Sequence, residues 1–260
     1  MSAADRRTFL KGSAATAAGI LIASKGTVFG AEANGKLRVG LIGCGQRGIW
    51  IGNLFERNTN TKVVAAHDYF RDRVSAAGEA LDIPAEKQFV GLDGYKALLE
   101  SDIDAVAIES PPYFHDEQTV DALAAGKHVY LAKPIAVDVP GCNAIVKAAA
   151  AHPDLCTWVD FQTRANEHFI AAAKGIHDGM IGRPAFGHVY YNCGRKNIRT
   201  KPDGSEIARL RNWLHEIPLS GDIIVEQNIH VLDVANWYLQ GHPFTAEGMG
   251  GRTVRTDTGD

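Results

Sequence analysis

Three glycines and one aspartate carry the first chemistry legible in this chain. Leu37 to Gly48 reads Leu-Arg-Val-Gly-Leu-Ile-Gly-Cys-Gly-Gln-Arg-Gly, an apolar strand running into a G-x-G-x-x-G turn. Twenty residues past Gly48, a second apolar run from Lys62 to His67 ends on Asp68. A strand, a glycine turn and an acid at that distance form a dinucleotide-binding pattern in the context it requires. Gly43 permits the tight turn, Gly45 lets backbone N–H groups approach a diphosphate, and Gly48 lets the next helix pack close to the strand. Gln46 and Arg47 open that helix, whose positive end would lie under the diphosphate. Asp68 would accept hydrogen bonds from the adenine ribose. That favours NAD; NADP fits less well, because its 2′-phosphate would meet the carboxylate. A glycine-rich hairpin without a ligand would leave Asp68 unexplained.

A second group of ionisable residues lies far down the chain. Ile223 to Leu239 is strongly apolar and reads as mostly helical. At about 100° per residue, Glu226, His230, Asp233 and Trp237 share one narrow stripe. Unpaired buried charge is costly, so the three ionisable groups must face a cavity or one another. Either they form a satisfied core network, or His230, which titrates near neutral pH, serves as an acid–base group. Lys133 follows the buried run His128–Leu131 and so stands at a strand's C-terminal end, where ligands bind in open α/β sheets. A solvated loop lysine is the plain alternative.

These groups need a scaffold, and the chain's periodicity supplies one. Strands are expected at 37–43, 62–67, 88–90, 104–108, 128–131 and 156–159, with helices at 46–57, 71–81, 94–100, 116–125 and 138–151 between them. Six short strands with intervening helices specify an α/β fold, a doubly wound, mostly parallel Rossmann sheet over residues 34–160. Beyond it the pattern changes: a helix over 167–178 capped by Asn166, a strand over 185–193, a polar segment over 197–220, the apolar helix, and a strand from Thr245. Residues 161–260 read as the start of an α+β domain. They are expected to be C-terminally truncated, since such a layer buries its sheet only if more strands follow.

The N-terminus reads as an address. Asp5 to Lys11 is a twin-arginine pattern, and the small-residue apolar run Gly12–Ala23 is about half the ~20 residues a bilayer span needs. Ala31-Glu32-Ala33 is an A-x-A-like cleavage site. Residues 1–33 are therefore expected to be a twin-arginine signal peptide, giving a periplasmic or exported protein with no membrane span after its removal. A net charge of −3 with 22% charged residues offers no polycationic footprint, so nucleic acid is not an expected partner. Cys44, Cys142, Cys156 and Cys193 form no Cys-x-x-Cys pair, which gives no reason to propose a metal or a disulfide framework.

With Ser110-Pro111-Pro112-Tyr113-Phe114-His115 and the run Ala124 to Pro134 added, residues 36–241 resemble the glucose–fructose oxidoreductase / inositol dehydrogenase (Gfo/Idh/MocA) family. The resemblance implies a Rossmann domain followed by a mainly antiparallel open sheet, and NAD-dependent oxidation of a secondary alcohol of a sugar or polyol. It implies that Ser110, Pro111 and His115 line the nicotinamide side of the cofactor, and that Lys133 is the catalytic lysine. Glu226, Asn228, His230 and Asp233 answer to the family's D-x-G-x-H-x-x-D helix, and Asp160 to Arg164 resembles its substrate-facing segment. Glu226 would orient or charge-stabilise His230. Gln162, Arg164 and Asp233 are thus substrate candidates, although Arg164 equally fits a salt bridge between domains. Ala132 stands where the family's E-K-P signature has its acid, and Glu226 where it has Asp. A homo-oligomer built through the C-terminal sheet is expected. Export adds a second reading, because free NAD is not expected outside the cytoplasm: an NAD-retaining glycosidase, lyase or epimerase working through transient sugar oxidation.

Overall fold

A computed structural model describes residues 35–251 and residue 259. The signal-peptide expectation for residues 1–33, and the polar end over 252–258 and 260, lie outside the described residues.

Six parallel strands form one sheet: β1 (Leu37–Ile42), β2 (Thr61–Asp68), β3 (Gln88–Val90), β4 (Ala105–Ile108), β5 (His128–Ala132) and β6 (Thr157–Asp160). Their spatial order is β3-β2-β1-β4-β5-β6, so the chain winds outward from β1 in one direction, then returns and winds in the other. Every neighbouring pair is parallel, and parallel pairs need crossovers. The crossovers are α1 (Gln46–Asn58), α2 (Arg71–Leu81), α3 (Gly94–Leu99), α4 (His115–Ala124) and α5 (Val139–Ala151). Alternation along the strands sends side chains to opposite faces. Val39, Leu41 and Val63 pack with Val74 and Leu81 on the α1–α2 face. Ile42, Ile108 and Leu131 pack with Leu98 and Leu123 on the other. A sheet buried on both faces explains why these strands read as unbroken apolar runs.

The sequence-predicted elements match these within one residue or so at their ends, because each is bounded by a strong stop. Gly126, at φ +72°, follows α4, and Asp138 caps α5 by accepting from the Gly141 N–H at 2.8 Å.

The second half departs from expectation. Helix α6 (Glu167–His177) forms as predicted, with Asn166 Oδ1 accepting from the His168 N–H at 3.0 Å. The polar stretch is not a loop throughout: it contains α7 (Glu206–Arg211) and α8 (Ile217–Ser220). The apolar helix is broken into α9 (Asp222–Glu226) and α10 (Ile229–Leu239), with Gln227 and Asn228 between them. No strand forms over 185–193, and Phe186 and Tyr190 there stand exposed. A strand needs a ladder partner, and among the described residues after Asp160 none offers one, so the antiparallel sheet is not seen. Among the described residues, no helix is long and apolar enough to cross a membrane.

Candidate cofactor and catalytic cleft

The winding of the sheet reverses between β1 and β4, and loops leaving the strands' C-terminal ends diverge there to open a crevice. A cleft of about 640 Å³ occupies it, lined by the glycine turn, Asp68, Glu109 and Ser110, Lys133, and residues from the second half. That size falls within the roughly 300–1,000 Å³ typical of small-molecule sites.

The three glycines divide the labour as expected. Gly43 has φ +93°, and a Cβ there would sit 2.5 Å from backbone atoms of Glu109 and Ser110. A Cβ on Gly48 would sit 1.9 Å from the Gly43 carbonyl oxygen, so helix and turn touch at that point. Gly45 is different, because a Cβ there would meet nothing within 4 Å. Its openness faces the start of α1, whose N-cap makes no side-chain hydrogen bond. Backbone N–H groups at a helix N-terminus beside open space suit an anion. Asp68 is buried and held from both sides: Oδ2 accepts from the Cys44 N–H and Oδ1 from the Phe70 N–H, each at 2.9 Å. The carboxylate thus stays fixed at the cleft wall, with Arg73 Nη1 3.9 Å away. Turn, helix terminus and fixed acid fit a dinucleotide.

At the other end of the cleft, Lys133 emerges after β5 and meets Glu226 at the end of α9. Nζ donates to Glu226 Oε1 at 2.9 Å and also to the Glu226 carbonyl. Burial pushes the Glu226 carboxyl upward while Lys133 pulls it down, and among the described residues its Oε2 has no hydrogen-bond partner. His230 is buried beside them and stacks on Tyr191, with ring centroids 5.5 Å apart. Burial, then the cations Lys133 and Arg47, push the His230 imidazole down to about 4. It is therefore neutral at neutral pH and able to take a proton. Glu226 and His230 line the same cleft from the two helices on either side of the break at Gln227–Asn228.

Several sequence candidates stand elsewhere. Asp233 turns away from the cleft and accepts from Arg164 Nε and Nη2, both at 2.8 Å, with the guanidinium 4.7 Å over the Trp237 ring. The narrow stripe is thus split: Glu226 and His230 line the cleft, whereas Asp233 and Trp237 hold the loop after β6. Gln162 does line the cleft, as do Gln46, Arg47, Ser110 and Pro111. His115 does not. It is fully buried, with Nδ1 2.8 Å from the Pro134 carbonyl and Nε2 3.0 Å from the Ser110 carbonyl, and so ties two cleft loops together from behind. Arg47, though it lines the cleft, is tied to Asp160 and, at 3.0 Å, to Glu109.

Glu109 was missed in the sequence. Ile108 pairs with Leu131 in the sheet, so Glu109 and Ala132 follow as neighbours, one register step further on. Its side chain is 1% exposed, and burial pushes its carboxyl up to about 7, with Arg47 opposing and Asp160 adding to the shift. The signal was available: a charged residue ends the apolar strand Ala105–Ile108, as Lys133 ends the next one. Arg199 and Arg211 were also missed. Arg199 donates to Gln46 at 3.1 Å, and Arg211 grips Asp72 at 2.9 and 3.1 Å while lying 3.9 Å over the Phe70 ring.

Comparison with known proteins agrees with this geometry. Residues 37–161 match the family model described as oxidoreductase family, NAD-binding Rossmann fold (GFO_IDH_MocA). Inositol 2-dehydrogenase of Klebsiella pneumoniae is 30% identical over 204 residues, 78% of this chain and 54% of that protein. The scyllo-inositol dehydrogenase of Lactobacillus casei, solved with bound cofactor NAD(H) and scyllo-inositol, superposes with a TM-score of 0.59 at 25% identity, over 79% of this chain and 56% of that one. The aldose-aldose oxidoreductase of Caulobacter crescentus, complexed with glycerol, shares the fold at a TM-score of 0.61 and 22% identity, over 79% and 58% of the two chains. The chain spans about half the length of the curated relatives it matches.

Proposed function

Because residues 37–161 match the model of the Gfo/Idh/MocA oxidoreductases, with an NAD-binding Rossmann fold, we propose that this protein belongs to that family and is an NAD-dependent oxidoreductase acting on a secondary alcohol of a sugar or polyol. The observation that carries this reading is the Lys133–Glu226 pair beside neutral His230, at the end of the same cleft whose other end holds the glycine turn and Asp68. Backbone N–H groups at the start of α1 would hold the diphosphate, and Asp68 the adenine ribose. Held there, NAD would supply the acceptor for a hydride from the carbinol carbon. His230 takes the hydroxyl proton, for which its neutral form is suited. Lys133 donates a hydrogen bond to the developing alkoxide, and Glu226 fixes the ammonium while keeping the buried pair neutral overall. The relatives' names point to inositols as the first polyols to try.

A second reading keeps the same residues and adds return of the hydride, giving a glycosidase, lyase or epimerase with a resident cofactor. Two contacts favour it. Arg199 on Gln46 and Arg211 on Asp72 come from the second half of the chain and reach across the cofactor end of the cleft, where exchange of a dinucleotide would have to part them. The twin-arginine motif at Arg6-Arg7 supports export, and an exported enzyme needs a cofactor that stays.

One experiment separates the two. The purified protein is mixed with NAD and a panel of inositols, aldoses and glycosides, and both NADH absorbance and sugar products are followed. Net NADH with a free polyol supports the first reading. Cleaved or epimerised sugar without net NADH supports the second. Loss of neither substrate nor cofactor over the whole panel would sink both.

A further inference from the structure

Glu109 has no role in the reaction above, yet its surroundings leave it chemically unfinished. It ends β4 in the floor of the cleft, beneath the glycine turn: a Cβ on Gly48 would lie 3.5 Å from the Glu109 Cβ. Arg47 from α1 forms an ion pair with Oε2 at 3.0 Å, and among the described residues neither carboxylate oxygen has a well-aligned hydrogen-bond donor. Asp160, at the end of β6, shares the same guanidinium. Lys133 past β5 adds positive charge, but its ammonium is already committed to Glu226. Across the cleft, Glu226 on α9, His230 on α10, Tyr191 and Lys196 also face it, and Tyr130 of β5 lies within electrostatic reach of Glu109. Two carboxylates therefore compete for one arginine, and the deeper of them is unsolvated. A buried carboxyl in that position responds to any further charge placed over it.

The dinucleotide places such a charge. Its reduced form carries one negative charge more than its oxidised form, since the ring loses its positive charge. We propose that Glu109 is a proton-binding group of the cofactor site, ionised when the oxidised dinucleotide is bound and protonated when the reduced one is. This rests on the NAD reading above. The balance closes: alcohol, NAD⁺ and the Glu109 carboxylate become ketone, NADH and the Glu109 carboxylic acid. The carbinol hydrogen leaves with its electron pair to the cofactor. The O–H bond breaks with its proton going to His230, which passes it on to Glu109 through solvent, so the imidazole ends neutral and Glu109 carries the one proton gained. The charge of the cleft floor is then the same before and after oxidation, which is the arrangement a returning hydride needs.

Calorimetric titrations of the purified protein with NAD⁺ and with NADH, in buffers of different ionisation heat, count the protons linked to binding without any turnover. Near neutral pH, binding of the reduced form should take up about one proton more than binding of the oxidised form, and its affinity relative to NAD⁺ should fall about tenfold or more between about pH 6 and pH 8. Glu109→Gln should abolish both differences. Equal proton numbers for the two forms in the unaltered protein, or a difference that survives Glu109→Gln, overturns the assignment. Should the variant not fold, difference infrared spectra of the unaltered protein decide. A protonated-carboxyl C=O band that appears with NADH and not with NAD⁺ supports the proposal, and its absence overturns it. Binding of neither form would remove the cofactor reading and this one with it.

Discussion

Lys133 Nζ lies 2.9 Å from Glu226 Oε1, joining residues 93 apart in the chain at the mouth of β5. Both side chains are about nine-tenths buried, so neither charge is tolerable without the other. Lys133→Met should lower kcat by about 10²-fold or more, within the range of acid–base contributions, and leave NAD affinity nearly unchanged. Glu226→Gln keeps the shape but removes the countercharge, and should cost both activity and melting temperature. The double variant should fall well short of the product of the two kinetic effects, since the groups act as one unit. Multiplicative losses in a steady-state comparison would show that the pair does not work together.

His230 should remain neutral far below the usual histidine range. Its imidazole is pushed down to about 4 in the folded protein against about 6.5 unfolded, so the unfolded chain gains a proton first as pH falls. The sign follows: stability attributable to His230 is complete above about pH 6.5 and is lost as the pH drops from there toward 4, by something on the order of 1–3 kcal/mol. NMR titration of the ring checks the first part, and denaturation of His230→Gln across the same window checks the second. Protonation of the ring near pH 6.5 would contradict the burial argument. His230→Gln should also lose about 10²-fold in kcat.

Gly45 and Gly48 should behave oppositely. A methyl at 48 strikes the Gly43 carbonyl at 1.9 Å, so Gly48→Ala should cost at least about 1–3 kcal/mol of stability. A methyl at 45 meets nothing, so Gly45→Ala should fold normally and melt near the parent temperature. It should nevertheless bind NAD much more weakly, because the methyl fills the approach to the helix terminus. Thermal melts and NAD titrations of both variants settle it. Unchanged NAD affinity in Gly45→Ala would place the diphosphate elsewhere.

Asp68 should select NAD over NADP by about tenfold or more, because a 2′-phosphate would meet a fixed like charge. Arg73, 3.9 Å away, limits the preference. Asp68→Ala should narrow the ratio but also destabilise the protein by about 1–3 kcal/mol, since the Cys44 and Phe70 N–H groups lose their acceptor. Calorimetric affinities for the two cofactors, equal in the unaltered protein, would remove Asp68 from the site.

Arg164 and Asp233 should prove structural. Their bidentate pair, stacked on Trp237, holds the loop after β6 against α10, and neither residue lines the cleft. Arg164 is more than a third exposed, so Arg164→Ala should cost no more than about 1 kcal/mol. The KM for any sugar or polyol should stay within about twofold of the parent value, which tests a substrate role directly.

The sequence by itself determined the Rossmann half. Strand periodicity, the glycine spacing and Asp68 act through local backbone geometry and through faces set within a few residues, so β1 to β6 and the cofactor end of the cleft were legible one element at a time. It also marked Lys133, Glu226 and His230 as chemistry, but assigned Glu226 to His230, whereas Glu226 pairs with Lys133. Only the tertiary structure decided which groups meet. Shared spacing along one helical stripe could not reveal that Glu226 goes to Lys133 on one side of the break at Gln227–Asn228, while Asp233 goes to Arg164 on the other. Glu109 shows the same limit: at the end of β4 it reads as an ordinary charged residue in a loop. Its burial comes from β5 beside it, α1 above it and Arg47 against it. Propensity and period are short-range, whereas desolvation and charge pairing depend on which strand ends the sheet order makes neighbours.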